Sequence, residues 1–471
     1  MNTKTPLRAV FSLGLSLAVC GLLNVPPCLH AATVNVSVVD FAFTPASVTI
    51  NQNDEVTWNF SSANQAPHSS TSDGGLWDSG ILGAGAGFSH TFNLSGNFPY
   101  HCTVHPFMTA SVTVQAPPTP PPPTNNPPPV STASGYVEGK LVADMAGNAF
   151  RTDARLVNPW GLVAGPDLIV INDNGTGITT VYGPIGQLYS FDIQIPAPGG
   201  GTSAPSGLVL NDTSAFVVNN AGHQAPSQFL MSTEDGAIIA WNHQINGSNA
   251  VIAVDNSASG AVYKGLDIAR DMNGNPQIYA ANFHVGVVDV FDSSFQYVSS
   301  FTDSNLPPNF APFNIRNVQG YLLVSFALQK LPDAHDDAAG PGNGFLDLFD
   351  TDGTLLRRFT SQGALNSPWG LAVAPANFGE FSNALLVGNF GDGKISAYNL
   401  LTGKWLGYLK DTSGNDVVVD GLWGLSFQRS SWEDSFNVPL PRLYFSSGPN
   451  AEADGLMGYL RPLNTHFPAA H

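Results

Sequence analysis

Short apolar–polar alternations mark the first third of the chain. Thr33-Val34-Asn35-Val36-Ser37-Val38, Ser47-Val48-Thr49-Ile50, Glu55-Val56-Thr57-Trp58-Asn59-Phe60 and Ala110-Ser111-Val112-Thr113-Val114 all repeat with period two. That period places every second side chain on one face of a strand. Several such runs separated by turn formers predict a small β-sandwich over residues 33–115.

Beyond residue 135 a longer rhythm takes over. The strand start Trp160-Gly161-Leu162 returns as Ser206-Gly207-Leu208, Lys264-Gly265-Leu266, Phe313-Asn314-Ile315, Trp369-Gly370-Leu371 and Trp423-Gly424-Leu425, with middle residues 46, 58, 49, 56 and 54 positions apart. Each copy is followed by a second apolar strand after a glycine, from Gly177-Ile178 and Gly236-Ala237 through to Gly455-Leu456. Six copies with several strand segments apiece and no helical periodicity predict a six-bladed β-propeller over 136–461. The sixth copy lacks an outer strand, and the matching pattern Gly139-Lys140-Leu141-Val142 stands before the first copy. This N-terminal segment is therefore expected to close the last blade, which removes two open sheet edges.

The ends and the joint follow from composition. Residues 117–129 hold nine prolines in thirteen positions, so 116–135 reads as a semi-rigid extended linker. At the N-terminus, Lys4 and Arg8 precede an apolar stretch from Ala9 to Val25, then Pro26-Pro27 and the small pair Ala31-Ala32. That is the layout of a cleaved signal peptide over 1–32, with an uncleaved anchor as the alternative. It predicts a periplasmic or secreted protein with no transmembrane segment in the mature chain. Residues 462–471 form a C-terminal tail.

Charge narrows the partners. Lys and Arg number 17 against 35 Asp and Glu, a net charge of −18. Such a surface repels phosphate backbones and argues against nucleic-acid binding. Of three cysteines, Cys20 and Cys28 fall in the leader, leaving Cys102 alone in the mature chain. It cannot form an internal disulfide, so it is either a small buried apolar residue or a metal ligand.

Its neighbours favour the ligand. In Tyr100-His101-Cys102-Thr103-Val104-His105-Pro106-Phe107-Met108, a thiol, an imidazole and a thioether share one loop, and His68 lies 34 residues upstream in Ala66-Pro67-His68-Ser69. Two His, one Cys and a weak axial Met make up the donor set of a blue-copper electron-transfer site. Here the chain resembles the cupredoxins of the amicyanin/plastocyanin-like branch. The likeness rests on Asp40-Phe41-Ala42-Phe43-Thr44-Pro45, on Gly96-Asn97-Phe98-Pro99-Tyr100 and on the Cys-x2-His-x2-Met loop. It implies one type 1 copper held by His68, Cys102, His105 and Met108. Val104 departs from that pattern, where amicyanin has proline. His90 and His101 match no ligand position and read as ordinary strand histidines.

The repeats resemble an exported bacterial family of six-bladed, NHL-like propellers, which implies a fold and no reaction. In a four-stranded blade the loops between second and third strands emerge on the same face as the connections between blades. The former are expected to carry Asn174, His223, His284, His335-Asp336-Asp337, Asp392 and Asn450. The latter carry Asn158, Lys264 and Trp369, with Trp160 and Trp423 nearby. His284, Asp392, His223 and Asp336 are the candidates for a ligand site at that mouth, against the plainer reading that such residues make turns. Two functions compete. One is an electron carrier serving a redox partner protein or a small-molecule donor or acceptor, with the propeller as docking platform. The other is a copper-dependent oxidoreductase whose substrate site is the propeller mouth.

Overall fold

The computed structural model describes residues 33–463 except 52–53, 75, 93–95, 116–134 and 429–440. The expected signal peptide, nearly all of the proline linker and residues 464–471 lie outside the described residues. The chain divides into two compact units, 1–129 and 130–471.

The first unit contains β1 (Thr33–Val39), β2 (Ala42–Thr44), β3 (Ser47–Asn51), β4 (Glu55–Phe60), β5 (Thr71–Ser72), β6 (Gly87–Thr91), β7 (Gly96–His101) and β8 (Thr109–Gln115). They form two four-stranded sheets, ordered β2-β1-β4-β6 and β3-β8-β7-β5. The alternation seen in the sequence decides which side chains fill the space between them. Val36 and Val38 of β1, Val56, Trp58 and Phe60 of β4, Val48 and Ile50 of β3, and Val112 and Val114 of β8 are all buried in one core. Each such apolar side chain contributes about 1.5–3 kcal/mol by leaving water, so slipping a strand by one residue would expose its whole buried set. Sheet order also places the hairpin of β7 and β8, paired from Gly96↔Val114 to His101↔Thr109, so that residues 102–108 form its closed end.

The second unit is all-β as well. Six sheets follow one another, each opening on one of the repeated strand starts: Pro159–Ala164, Pro205–Leu210, Tyr263–Arg270, Phe310–Val318, Pro368–Val373 and Leu422–Phe427. Each of these inner strands touches the next, and the last touches the first, so the six stand in a ring. That is the arrangement expected of six blades. The repeated glycine has a steric cause. A side-chain carbon at Gly161 would come within 2.5 Å of the Ser206 carbonyl on the next inner strand, and one at Gly370 within 2.7 Å of the Trp423 carbonyl. Pairing shifts register at the same place, between Pro159 and Leu162 and between Pro368 and Gly370. Glycine and bulge together let neighbouring strands approach at the axis.

The last blade closes as the sequence suggested. The segment β9 (Tyr136–Ala143) pairs antiparallel with Leu456–Pro462, the third strand of the sixth sheet. A two-residue strand, Arg151–Thr152, then runs parallel outside β9 and makes this sheet five-stranded. Tyr136 anchors the joint, donating a hydrogen bond to the Phe378 carbonyl (2.9 Å) and packing on Phe378 and Phe381.

One expectation is corrected. His223 does not lie between the second and third strands of its blade. It starts Val217–Asn220's partner, His223–Pro226, in an extra hairpin inserted between the first strand, Pro205–Leu210, and the second, Phe229–Thr233. The inserted strand has the same short apolar pattern as a blade strand, which is why it reads as one. His223 is therefore on the face away from the mouth.

Deleting residues 136–146 should lower the melting temperature of the second unit by far more than deleting 117–129, because it strips the cover from Leu456–Pro462 and exposes an edge. Thermal melts followed by circular dichroism check this; equal melting of the two deletions would contradict closure by β9.

Candidate metal centre and propeller mouth

The loop of residues 102–108 is cinched by three backbone hydrogen bonds: Cys102 N–H to the Met108 carbonyl (3.0 Å), His105 N–H to the Cys102 carbonyl (3.1 Å) and Met108 N–H to the His105 carbonyl (2.8 Å). This turn directs Cys102 and Met108 into the sandwich core, both buried, while His105 stays at the rim. His68 arrives from another segment and is held by reciprocal backbone bonds with Leu82 at 3.0 and 2.8 Å.

Three donor atoms meet. Cys102 Sγ lies 3.8 Å from His68 Nδ1 and 3.8 Å from His105 Nδ1, and the two Nδ1 atoms are 3.2 Å apart. His68 is completely buried, and its other ring nitrogen, Nε2, lies 3.1 Å from Asp40 Oδ1. With the carboxylate accepting there, Nε2 carries the hydrogen and Nδ1 turns a lone pair toward the thiol. Asp40 is itself held below the usual carboxylate range, first by the Gln65 backbone N–H and then by His68. The Ser69 backbone N–H donates to Cys102 Sγ at 3.3 Å, and the Ser69 hydroxyl accepts from the Thr103 N–H at 2.9 Å. Such outer contacts orient ligands and tune their donor strength. A thiol and two imidazoles that face one another, with Met108 buried in the same core, fit a copper ion chemically.

Around this cluster the surface is apolar. Phe41, Val104 and Phe107 are exposed, and the Phe41 ring stands 5.0 Å from that of His105. Among the described residues of this unit, the other two histidines sit elsewhere. His90 stacks on Trp77 at 5.3 Å, and burial lowers its basicity. His101 Nδ1 bonds Asp73 Oδ1 at 2.6 Å. Neither Asp40 nor Ser69 stands out in the sequence as a site residue, since each acts across about 30 positions.

The propeller mouth differs from its sequence-based description. Of His284, Asp392, His223 and Asp336, only Asp336 makes an ion pair with the buried Lys264. His284 is exposed, and its Nδ1 lies 3.0 Å from the Asp333 carbonyl. Asp392 accepts the Lys394 N–H at 3.1 Å within its own turn. The residue that sequence reading overlooked is Glu234, in the turn between Phe229–Thr233 and Ala237–Trp241. Ligand atoms of Glu234, His335 and Asp336 all lie within 4.8 Å of one another. Lys264, a fully buried side chain, has its Nζ hydrogen-bonded to Glu234 and 3.5 Å from Asp336 Oδ1. Asn174 Nδ2 donates to the second Glu234 oxygen at 2.7 Å.

Below them is an aromatic floor. Lys264 Nζ stands 5.1 Å over the Trp160 ring, a favourable cation–π placement. Trp160 stacks on Trp423 with centroids 3.5 Å apart, and Trp423 Nε1 donates to Asn158 Oδ1 at 3.2 Å. The charges shift one another. His335 is made more basic, chiefly by its hydrogen bond with Asp336, whose carboxyl falls to about 2 mainly for the same reason. Glu452 is pushed up to about 7 by burial first and by Glu234 next.

Comparisons with known proteins bear on the two units differently. No protein-family model matches the chain. Among curated proteins, one uncharacterized protein of Acanthamoeba polyphaga mimivirus is 31% identical over 327 residues, covering 68% of this chain and 78% of that one. A second from the same virus is 30% identical over 321 residues, covering 66% and 82%. The chain belongs to this family. Family members are named as uncharacterized, so membership brings no reaction with it. Because the match is far longer than the first unit, most of it runs through the six-sheet unit. Among solved structures, a reduced amicyanin mutant is 24% identical over 18% of this chain and 86% of its own, with a TM-score of 0.17. A purple cupredoxin from Nitrosopumilus maritimus is 25% identical over 17% of this chain and 99% of its own, with a TM-score of 0.16. Scores that low carry no argument alone; the geometry of the thiol and imidazoles does.

Glu452 gives a pH-dependent outcome. Its folded pKa of about 7 exceeds the ordinary 4.5, so the folded chain retains a proton that the unfolded chain releases between those values. The stability it contributes is full below pH 4.5 and is lost as pH rises through 7. Glu452→Gln should therefore match the parent at pH 4 and be more stable by roughly 1–2 kcal/mol at pH 8 in metal-free buffer. Paired denaturant melts check it; an equal difference at both pH values would contradict the burial of that charge.

Proposed function

We propose that this is an exported copper protein that carries single electrons through a site made by His68, Cys102, His105 and Met108. The observation that carries the reading is the convergence of the Cys102 thiol with the two Nδ1 atoms of His68 and His105. Bound there, copper supplies a one-electron couple, with sulfur favouring the reduced ion and imidazole accepting both states.

The chain's own residues prepare that role. Asp40 fixes the orientation and tautomer of His68. The cinched loop and the two sheets hold Cys102 and His105 at a set separation, which limits rearrangement when charge changes. The Ser69 N–H draws electron density from the sulfur. Phe41, Val104 and Phe107 keep water from the His105 edge and offer an apolar contact for a redox partner, protein or small molecule. The second reading is a copper-dependent oxidoreductase whose substrate meets the propeller mouth. The charge cluster that Glu234 and Asp336 form around the buried Lys264 favours it, since such a cluster exceeds what turn formation requires.

Copper-loaded, oxidised protein should show an intense visible band from sulfur-to-copper charge transfer and lose it on reduction. Cys102→Ala should abolish both the band and electron transfer. Met108→Leu should keep the colour and raise the reduction potential, because the oxidised ion loses more when a donor is withdrawn. Copper should also raise the melting temperature of the first unit. One tightly bound copper with no visible band would contradict the assignment.

A further inference from the structure

We propose that the second unit binds one small, neutral aromatic molecule in the gap between its first and second sheets, on the face away from the mouth. This site lies wholly within that unit and holds independently of the thiol–imidazole cluster.

The gap is a cavity of about 550 Å³, within the roughly 300–1,000 Å³ that small-molecule sites occupy. Val163, Val170 and Val181 wall it from the first sheet, and Leu210, Phe229 and Trp241 from the second. Strand pairing identifies the same walls one sheet further on. Val163 pairs with Val170 and Val170 with Val181, as Val209 pairs with Leu230 and Leu230 with Ala240. The run Leu210, Phe229, Trp241 matches Ile268, Ile278, Phe291 in the third sheet. Between those equivalent walls stands Phe216, fully buried in their shared core. The fifth and sixth sheets repeat the solution. Ala372, Leu386 and Ala397 face Phe427, Leu443 and Leu460, and Phe378 is buried among them, its ring 4.8 Å from that of Phe427.

Loop length decides which gaps receive such a ring. Phe216 and Phe378 both come from the connection between the first and second strands of a sheet, residues 211–228 and 374–383, which is long enough to reach the next sheet. Phe216 is fastened there, its N–H donating to the Ser293 carbonyl at 3.1 Å. In the first sheet the same connection is Gly165-Pro166-Asp167-Leu168, closed by a hydrogen bond from the Gly165 N–H to the Leu168 carbonyl (2.8 Å). Four residues without an aromatic side chain carry no ring across. The cavity therefore lies where two other sheets place a phenyl group, and its shape suits one.

The walls select the chemistry further. Phe229 and Trp241 lie nearly parallel with centroids 6.0 Å apart, and Phe191 meets His243 edge to face at 5.4 Å. Rings arranged in this way offer both faces and edges to another aromatic group. The hydrogen-bonding groups are already engaged. Trp241 Nε1 donates to the Gly247 carbonyl and Asn211 Nδ2 to the Ser227 carbonyl, each at 2.9 Å. Among the described residues no lysine or arginine lines the cavity, and its one carboxylate, Asp167, sits at the exposed turn. An anion entering there would lose its hydration without a partner, which favours a neutral ligand.

The test titrates the full chain with N-phenyl-1-naphthylamine, a neutral probe that fluoresces when shielded from water. Its counterpart is 8-anilino-1-naphthalenesulfonate, the same skeleton carrying a negative charge. One equivalent of the neutral probe should bind, and the sulfonate should bind more weakly by roughly 10-fold or more. Val163→Phe sets a phenyl group into the cavity much as Phe216 does in the neighbouring gap. It should weaken binding of the neutral probe by roughly 10-fold or more without lowering the melting temperature. If that variant fails to fold, Leu168→Asp, at an exposed turn position that lines the cavity, serves instead and should weaken binding as well. No fluorescence gain with the neutral probe would overturn the proposal. So would equal affinity for the two probes, or binding indifferent to the substitutions.

Discussion

The candidate copper site depends on one constraint: the closed end of the β7–β8 hairpin must span residues 102–108 while both strands stay in register. Pairing of His101 with Thr109 sets the two ends of the loop, and its three internal backbone bonds leave it no slack. Cys102 and Met108 then point inward and His105 outward by the geometry of the turn. His68 is placed with equal firmness by Leu82 and Asp40. A metal binding there meets donors whose positions are already set, which favours small changes in geometry on oxidation and reduction.

Close approach governs the six-sheet unit in a different way. Inner strands meet where glycine and a register shift coincide, as at Gly161 and Gly370. The tryptophans beside these glycines, Trp160, Trp369 and Trp423, gather into one aromatic cluster with Phe283 and Phe313. That cluster is the floor on which Lys264 rests, so the packing that closes the ring also buries the charge at its mouth. Closure by β9 shields the remaining edge, and Tyr136 ties it to the neighbouring sheet.

Much of this was legible in the sequence, for physical reasons. Period-two alternation reports burial directly, so β1, β3, β4 and β8 could be read from it. The repeat at the inner strands reports a steric requirement, and the missing sixth outer strand exposed the role of residues 139–142. The loop ligands lay within seven residues, where spacing and chemistry are read together. What escaped depended on contacts between distant segments. Glu234 meets Asp336 across two sheets, and Asp40 meets His68 through a bond that leaves no pattern in either segment. His223 was misplaced because its inserted hairpin carries the same alternation as a blade strand. Arg151–Thr152 is too short for any periodic signal.

Copper K-edge X-ray absorption of the copper-loaded full chain tests the central claim most directly, because it reports the donor atoms themselves. The account predicts a first shell of one sulfur and two imidazole nitrogens, with the sulfur contribution lost in Cys102→Ala. A shell made only of nitrogen and oxygen, unchanged by that substitution, would contradict it.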